Sequence, residues 1–119
     1  MSKMSVVAFK DGKNWPLTQQ FTSVTNTTYT MVAQNTDYTI LSANYNRKYL
    51  QISNTTSADI VYLAFGTAAT VNQGVRLGVA TSQYSTFTMD RDSIYVGAIH
   101  AIYGTAGPNV IVSIIEGVG

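Results

Sequence analysis

The chain has 119 residues, no cysteine and a formal net charge of +1, and this length supports one domain rather than two. Charged residues make up only 11% of the sequence, against roughly a quarter in an ordinary soluble domain. The polarity comes instead from 10 Ser, 16 Thr, 8 Asn and 6 Gln. The composition excludes a disulfide scaffold, a thiolate metal site and a cysteine nucleophile. The near-zero charge argues against a nucleic-acid partner bound by phosphate neutralisation.

Residues 1–25 differ from the rest of the chain. They contain three of the seven basic residues and the only tryptophan, and one strand is predicted in them at Ser5–Phe9. We interpret them as an N-terminal arm and loop that reaches a neighbouring subunit. The alternative is an edge strand and a loop that close the end of the chain's own barrel. The side chains that would anchor the arm are those of Val6, Phe9, Trp15 and Phe21.

No targeting or membrane segment is predicted. The apolar run near the N-terminus, Val6–Phe9, is too short for the core of a signal peptide. The long uncharged stretch Ser93–Ile115 contains His100 and Pro108, so it does not read as a membrane span. We therefore expect cytoplasmic synthesis without export, and no membrane partner.

From residue 26 to residue 119 the sequence predicts an all-β domain. Thr, Tyr, Val and Ile dominate, and turn residues recur about every 8–12 residues, a spacing typical of sandwiches and barrels. We therefore predict a single antiparallel β-sandwich or jelly-roll-like barrel. In chain order the predicted strands are Thr28–Ala33, Asp37–Ala43, Lys48–Ser53, Ala58–Phe65, Val75–Val79, Tyr84–Met89, Ser93–Tyr103 and Val110–Glu116.

Two predicted strands are apolar on both faces. They are Ile60–Phe65, which contains Tyr62, and Val110–Ile115. Such strands are central in a sheet, or another chain covers their outer face. The second interpretation makes Tyr62 a candidate interface residue and predicts a homo-oligomer or docking on a larger surface. The alternative is that neutral Tyr, Ala and Thr side chains face water.

The residue types that support catalysis are sparse. The single histidine, His100, lies in a predicted strand, where a packed or interface role is favoured over that of a general base. One histidine cannot form a zinc site alone, and Asp90-Arg91-Asp92 lacks the other ligands of a calcium loop. Arg47-Lys48 indicates a solvated strand end or a contact to an acidic patch. We predict no enzymatic activity, no catalytic or metal site and no cofactor.

The order of several short segments resembles the small all-β virion proteins of tailed bacteriophages. The resemblance lies in an N-R-x-x-L-x-I-x-N hairpin, a Y-L-x-F-G segment, a G-A-I-x-A-I strand, and a closing strand with V-x-V that ends in E-G. In this chain these are Asn46–Asn54, Tyr62–Gly66, Gly97–Ile102 and Val110–Gly117. The first 45 residues carry no part of it.

The resemblance implies a structural role in a virion and transfers no catalytic residue. It leads us to expect a capsid decoration (cement) protein that binds and stabilises the outer head shell, with the major capsid protein or other virion proteins as partners. The alternative is a tail- or fibre-associated adhesin that binds a host-surface glycan through tyrosines and polar loops, with Tyr45, Tyr84 and Tyr103 as candidate contacts. The sparse charge agrees with a surface that partners cover.

Overall fold

The computed structural model describes residues 22–90, 93–105 and 109–119, and within them the chain is all-β without a helix. The described residues form eight strands. In chain order they are β1 (Ser23–Met31), β2 (Tyr38–Leu41), β3 (Arg47–Asn54), β4 (Val61–Phe65), β5 (Val75–Leu77), β6 (Thr86–Met89), β7 (Ile99–Tyr103) and β8 (Val110–Val118).

The strands form two four-stranded antiparallel sheets. Sheet A has the order β1-β8-β3-β6, and sheet B has the order β2-β7-β4-β5. Both strands that the sequence predicts to be apolar on two faces, β4 and β8, lie in the interior of their sheets. The predicted antiparallel β-sandwich is therefore confirmed.

The core lies between the two sheets. Alternation along β8 directs Val110, Val112 and Ile114 inward, and β3 directs Leu50 and Ile52 to the same interior. The inward residues of sheet B, with which these side chains form one cluster, are Val61, Leu63, Leu77, Ile99, Ala101 and Tyr103. Burial of this cluster, at about 25 cal/mol per Å² of apolar surface, is the main force that holds the sheets together.

The eight strands predicted between residues 28 and 116 all exist, and two of them begin five or more residues away from the predicted start. Strand β1 begins at Ser23, so it includes residues assigned to the N-terminal arm. Strand β7 begins only at Ile99, although the prediction placed its start at Ser93. Residues 93–98 are instead an irregular segment whose carbonyls accept hydrogen bonds from a buried arginine, Arg47.

The prediction of a solvated strand end at Arg47 is wrong, because the residue is 1% exposed. Its Nε donates to Glu116 Oε2 at 2.8 Å, and its Nη2 donates to the Ser42 carbonyl at 2.8 Å. Its Nη1 donates to the carbonyls of Tyr95 at 2.7 Å and Gly97 at 3.1 Å. A buried guanidinium needs such partners because an unpaired buried charge is costly. Arg47 thus joins β3 and β8 of sheet A to segments that flank sheet B.

Candidate interaction surface

Among the described residues, no formally charged side chain lies at the outward positions of sheet A that the strand pairing defines; the exposed Lys48 of β3 lies at the bulge between Arg47 and Tyr49 and has no cross-strand partner. Since β8 directs its even-numbered residues inward, the odd-numbered ones point outward, and their partners across the ladders point the same way. We call this surface the neutral face; it consists of Val24, Asn26, Thr28, Thr30, Tyr49, Gln51, Ser53, Thr86, Thr88, Ile111, Ser113 and Ile115.

The neutral face combines hydroxyls, amides and exposed aliphatic groups. Val24 is 46% exposed and Ile111 is 38% exposed. The hydroxyls of Ser53 and Thr86 lie 2.9 Å apart across two strands, and Tyr49 donates to Gln51 Oε1 at 2.9 Å. Such a surface can exchange hydrogen bonds with a partner and bury apolar atoms without first desolvating a charge.

The outer surface of sheet B is, in contrast, partly covered by the chain itself. The connection between β4 and β5, residues 66–74, lies on it: Tyr62 donates to Asn72 Oδ1 at 2.9 Å, and Ile102 is only 6% exposed. The connection turns at Gly66, whose φ of +77° suits glycine and whose missing side chain leaves room for Tyr95. Between this connection and β4 lies an open pocket of about 230 Å³.

Asp37 and His100 form a polar pair on this second surface. His100 Nδ1 lies 3.1 Å from both carboxylate oxygens of Asp37, and Asp37 Oδ1 accepts a 2.7 Å hydrogen bond from the Ala69 backbone N–H. Their side chains are 33% and 18% exposed for Asp37 and His100. No hydroxyl is hydrogen-bonded to His100 among the described residues. Through Asp37, the pair links the turn before β2 to strand β7 and to the connection between β4 and β5.

The candidate interface residues are placed as follows. Tyr62 on β4 and His100 on β7 both point to the outer surface of sheet B, diagonally across adjacent strands, since Tyr62 faces Ile102 and Ala64 faces His100. Both side chains are half-buried and bonded within the chain. The four arm residues, Val6, Phe9, Trp15 and Phe21, lie outside the described residues, as does the strand predicted at Ser5–Phe9.

The tyrosines predicted as glycan contacts lie in different environments. Tyr45 is 81% exposed and Tyr84 is 65% exposed, but they lie at opposite ends of the sandwich. Tyr45 is in the loop just before β3 begins, whereas the loop of Tyr84 lies beside the end of β3, where Asn54 N donates to the Ser85 carbonyl. Tyr103 is buried in the core, so it is wrong as a glycan contact. Burial raises its pKa, and the charges of Tyr38 and Asp59 act in the same direction.

Two buried polar side chains close the end of the sandwich where β3 ends. Asn54 donates from Nδ2 to the carbonyls of Asp59 at 2.7 Å and Gly78 at 3.0 Å, and its Oδ1 accepts from Thr56 N at 3.0 Å. Asp59 is 1% exposed, and its carboxylate oxygens have no hydrogen-bond partner among the described residues. Sequence reasoning missed Asn54 and Arg47, because their partners are distant in the chain. The only signal in the sequence was that these two polar residues stand at the two ends of β3, a strand with alternating apolar residues.

Further properties of the described part of the chain bear on function. No group of three or more His, Cys, Asp or Glu residues is arranged to hold a metal ion within it. Residues 22–90, 93–105 and 109–119 contain no helix of the length and hydropathy that a bilayer crossing requires. Comparisons with protein-family models, curated proteins and solved structures find no match for this chain.

Proposed function

We propose that the protein is a non-enzymatic virion structural protein that decorates a phage head and binds the outer shell through the neutral face of sheet A. The observation that carries the proposal is that none of the described residues on this face is formally charged. The two exposed aliphatic side chains on it, Val24 and Ile111, add apolar area to the contact. The resemblance of residues 46–117 to small virion proteins supports the same role.

The distribution of charge in the rest of the structure supports this assignment. Arg47 and Asp59 are buried, and Glu116 forms an ion pair with Arg47. The described surface therefore has few charges to keep copies or partners apart, whereas free soluble domains usually carry many. On a shell, many weakly polar contacts act together, and symmetry multiplies them into avidity. The major capsid protein is the expected partner, and the virion is the expected location.

The test mixes purified protein with empty head shells and measures saturable binding and the heat resistance of the shells. Two variants place a lysine on the neutral face, Thr28→Lys and Ser113→Lys. The matched control, Thr67→Lys, adds the same charge in the exposed connection on sheet B. We expect the wild type and Thr67→Lys to bind, and the two neutral-face variants to bind at least tenfold more weakly, because a desolvated lysine finds no partner there.

Two outcomes would contradict the proposal. If the wild type does not bind shells at any concentration, head decoration is wrong. If all three lysine variants bind as tightly as the wild type, the neutral face is not the contact surface. Circular dichroism spectra and melting curves of the variants establish that a loss of binding is not a loss of fold.

The second candidate is an adhesin that binds a host-surface glycan. The observation that favours it is the exposure of Tyr45 and Tyr84, since tyrosine rings are common in recognition surfaces. Because the two rings lie at opposite ends, each site would rest on one exposed tyrosine. A glycan array with wild type, Tyr45→Ala and Tyr84→Ala tests this: a signal lost in one variant supports the adhesin, and a blank array contradicts it.

A further inference from the structure

The four sheet edges in the described part of the chain differ in length and in protection. Strand β5 has three residues and carries exposed Arg76, and β6 has four. Strand β2 has four residues and a register irregularity. Short strands, irregular pairing and charges are the usual means by which a sheet edge avoids pairing with another chain. Three of the four edges thus have at least one such protection.

Strand β1 is the exception. It has nine residues, contains neither a charged residue nor proline, and pairs only with β8 among the described strands. Residues 23–28 are exposed on both faces of the strand, including Thr25 and Thr27, which point to the inner side. Among the described residues, no strand pairs with the outer edge of β1, so this long, uncharged strand offers its N–H and C=O groups in the conformation that an additional strand requires.

The charge pattern favours a second copy of this chain over a different protein as the occupant. A foreign strand chosen by charge would require complementary charges on β1, and β1 has none. Around a two-fold axis each residue meets β1 of the other copy, so any charge near the axis would repel its equivalent. A strand without charges, such as β1, can therefore pair with its own copy without this repulsion.

We propose that two copies of the chain pair antiparallel through their β1 edges, with Thr27, the middle residue of β1, opposite its own equivalent. In this register Asn26 lies beside Thr28 of the other copy, and Val24 lies beside Thr30. The neutral faces of the two sheets A then continue into one another across the axis, and the result is one sheet of eight strands with a continuous neutral face.

The test uses purified protein without shells, so it fails or succeeds separately from the proposed docking. Light scattering should give twice the 12.9 kDa mass of the chain. Because the chain has no cysteine, Thr27→Cys introduces a single thiol at the proposed axis, where Cβ atoms of opposite residues come within about 5.5 Å. We expect mild oxidation to convert most of it to a disulfide-linked dimer. The control Thr86→Cys, exposed on the other edge of sheet A, should remain monomeric on denaturing gels.

A charged variant gives a second, independent measurement. Thr25→Lys/Thr27→Lys places four like charges near the axis, and we expect its mass to fall to that of one chain while its far-ultraviolet spectrum is unchanged. Thr86→Lys/Thr88→Lys is the matched control and should remain dimeric. A wild type with the mass of one chain or of three, or a Thr86→Cys variant that cross-links as completely as Thr27→Cys, would overturn the proposal. A charged variant that fails to fold leaves the cysteine comparison to decide.

Discussion

The guanidinium of Arg47 lies 2.8 Å from the carboxylate of Glu116, and the two side chains are 0% and 14% exposed. The two residues sit on adjacent strands, β3 and β8, at a point where the register shifts between Arg47 and Tyr49. This bulge directs Arg47 inward, where it also reaches three backbone carbonyls. The only nearly fully buried cation of the described chain thus joins segments that are distant in sequence.

Replacement of Arg47 should be strongly destabilising. Arg47→Ala leaves the partly buried Glu116 carboxylate with only the long 3.5 Å hydrogen bond from Asn44 Nδ2 and removes the side-chain donor of three carbonyls, so we expect the free energy of unfolding to fall by about 3–5 kcal/mol. Arg47→Lys should recover little of it, because an ammonium cannot reproduce the planar fork of donors. Urea denaturation measures both. Lys48→Ala, at the exposed neighbour, is the control and should stay within about 0.5 kcal/mol of the wild type.

Asn54 should also be essential for stability, because its buried side chain makes hydrogen bonds with three backbone groups. We expect Asn54→Ala to cost about 2–4 kcal/mol, at roughly 1 kcal/mol for each hydrogen bond. Asn54→Asp should cost more at neutral pH, since a carboxylate would face the carbonyls of Asp59 and Gly78. Asn26 opens the same Asn-Thr-Thr sequence but is exposed on β1, so Asn26→Ala is the control. Equal melting temperatures for the two alanine variants would contradict this prediction.

Removal of the Asp59 charge should stabilise the protein. The carboxylate is buried without a hydrogen-bond partner among the described residues, and burial of such a group is unfavourable. Asp59→Asn keeps the shape and the backbone carbonyl that Asn54 contacts. We expect its free energy of unfolding at pH 7 to rise by about 1 kcal/mol or more, measured by urea denaturation. A lower stability would mean that the charge has a compensating interaction in the folded state.

Asp37 should hold the connection between β4 and β5 against sheet B. In Asp37→Ala the Ala69 N–H loses its acceptor, so its amide should exchange with deuterium faster than in the wild type, while core amides of β8 stay protected. His100→Ala is the matched control, because it removes the other partner of Asp37 and leaves the Ala69 hydrogen bond in place. Faster exchange at Ala69 in both variants would mean that the histidine, too, is needed.

Ionisation of Tyr103 should lower the free energy of unfolding at alkaline pH. Burial raises its pKa, as do the charges of Tyr38 and Asp59, so the folded state keeps the phenolic proton longer than the unfolded chain. Its stabilising contribution is complete below the ordinary tyrosine pKa of about 10 and is lost as pH rises toward the higher pKa of the folded state. Tyr103→Phe should therefore lose stability less steeply above pH 10, whereas Tyr84→Phe, at an exposed ring, should follow the wild type.

Much of the fold follows from local sequence, and most of the polar contacts do not. Alternation and turn residues predict each of the described strands, because each signal lies within a few neighbouring residues. The residues before Ile99 were predicted as part of β7 but are irregular in the structure. Tyr95 and Val96 favour a strand locally, yet the carbonyls of Tyr95 and Gly97 accept hydrogen bonds from Arg47 instead. No local pattern reveals that demand.

The outer surfaces of the two sheets likewise combine features that local sequence predicts with features that it does not. The doubly apolar β4 predicts either an interior position or a covering chain, and the structure gives it an interior position with its own connection lying over Tyr62. The pairing of Asp37 with His100 joins residues far apart in the chain, so spacing could not indicate it. The neutral face follows from alternation and register together, and register requires the three-dimensional ladders.

The position of β8 has a consequence for how the chain acquires its structure. Because β8 lies between β1 and β3, a nascent chain that has reached only β7 can assemble sheet B but has nothing to join β1 to β3. Glu116, the carboxylate partner of Arg47, also arrives with β8. Sheet A is therefore completed only after β8, the last of the described strands, has been synthesised, and pairing over such long sequence separations is slow. Until β8 inserts, β1 and β3 expose apolar and unpaired edges, so this is the interval in which a growing chain is most open to aggregation.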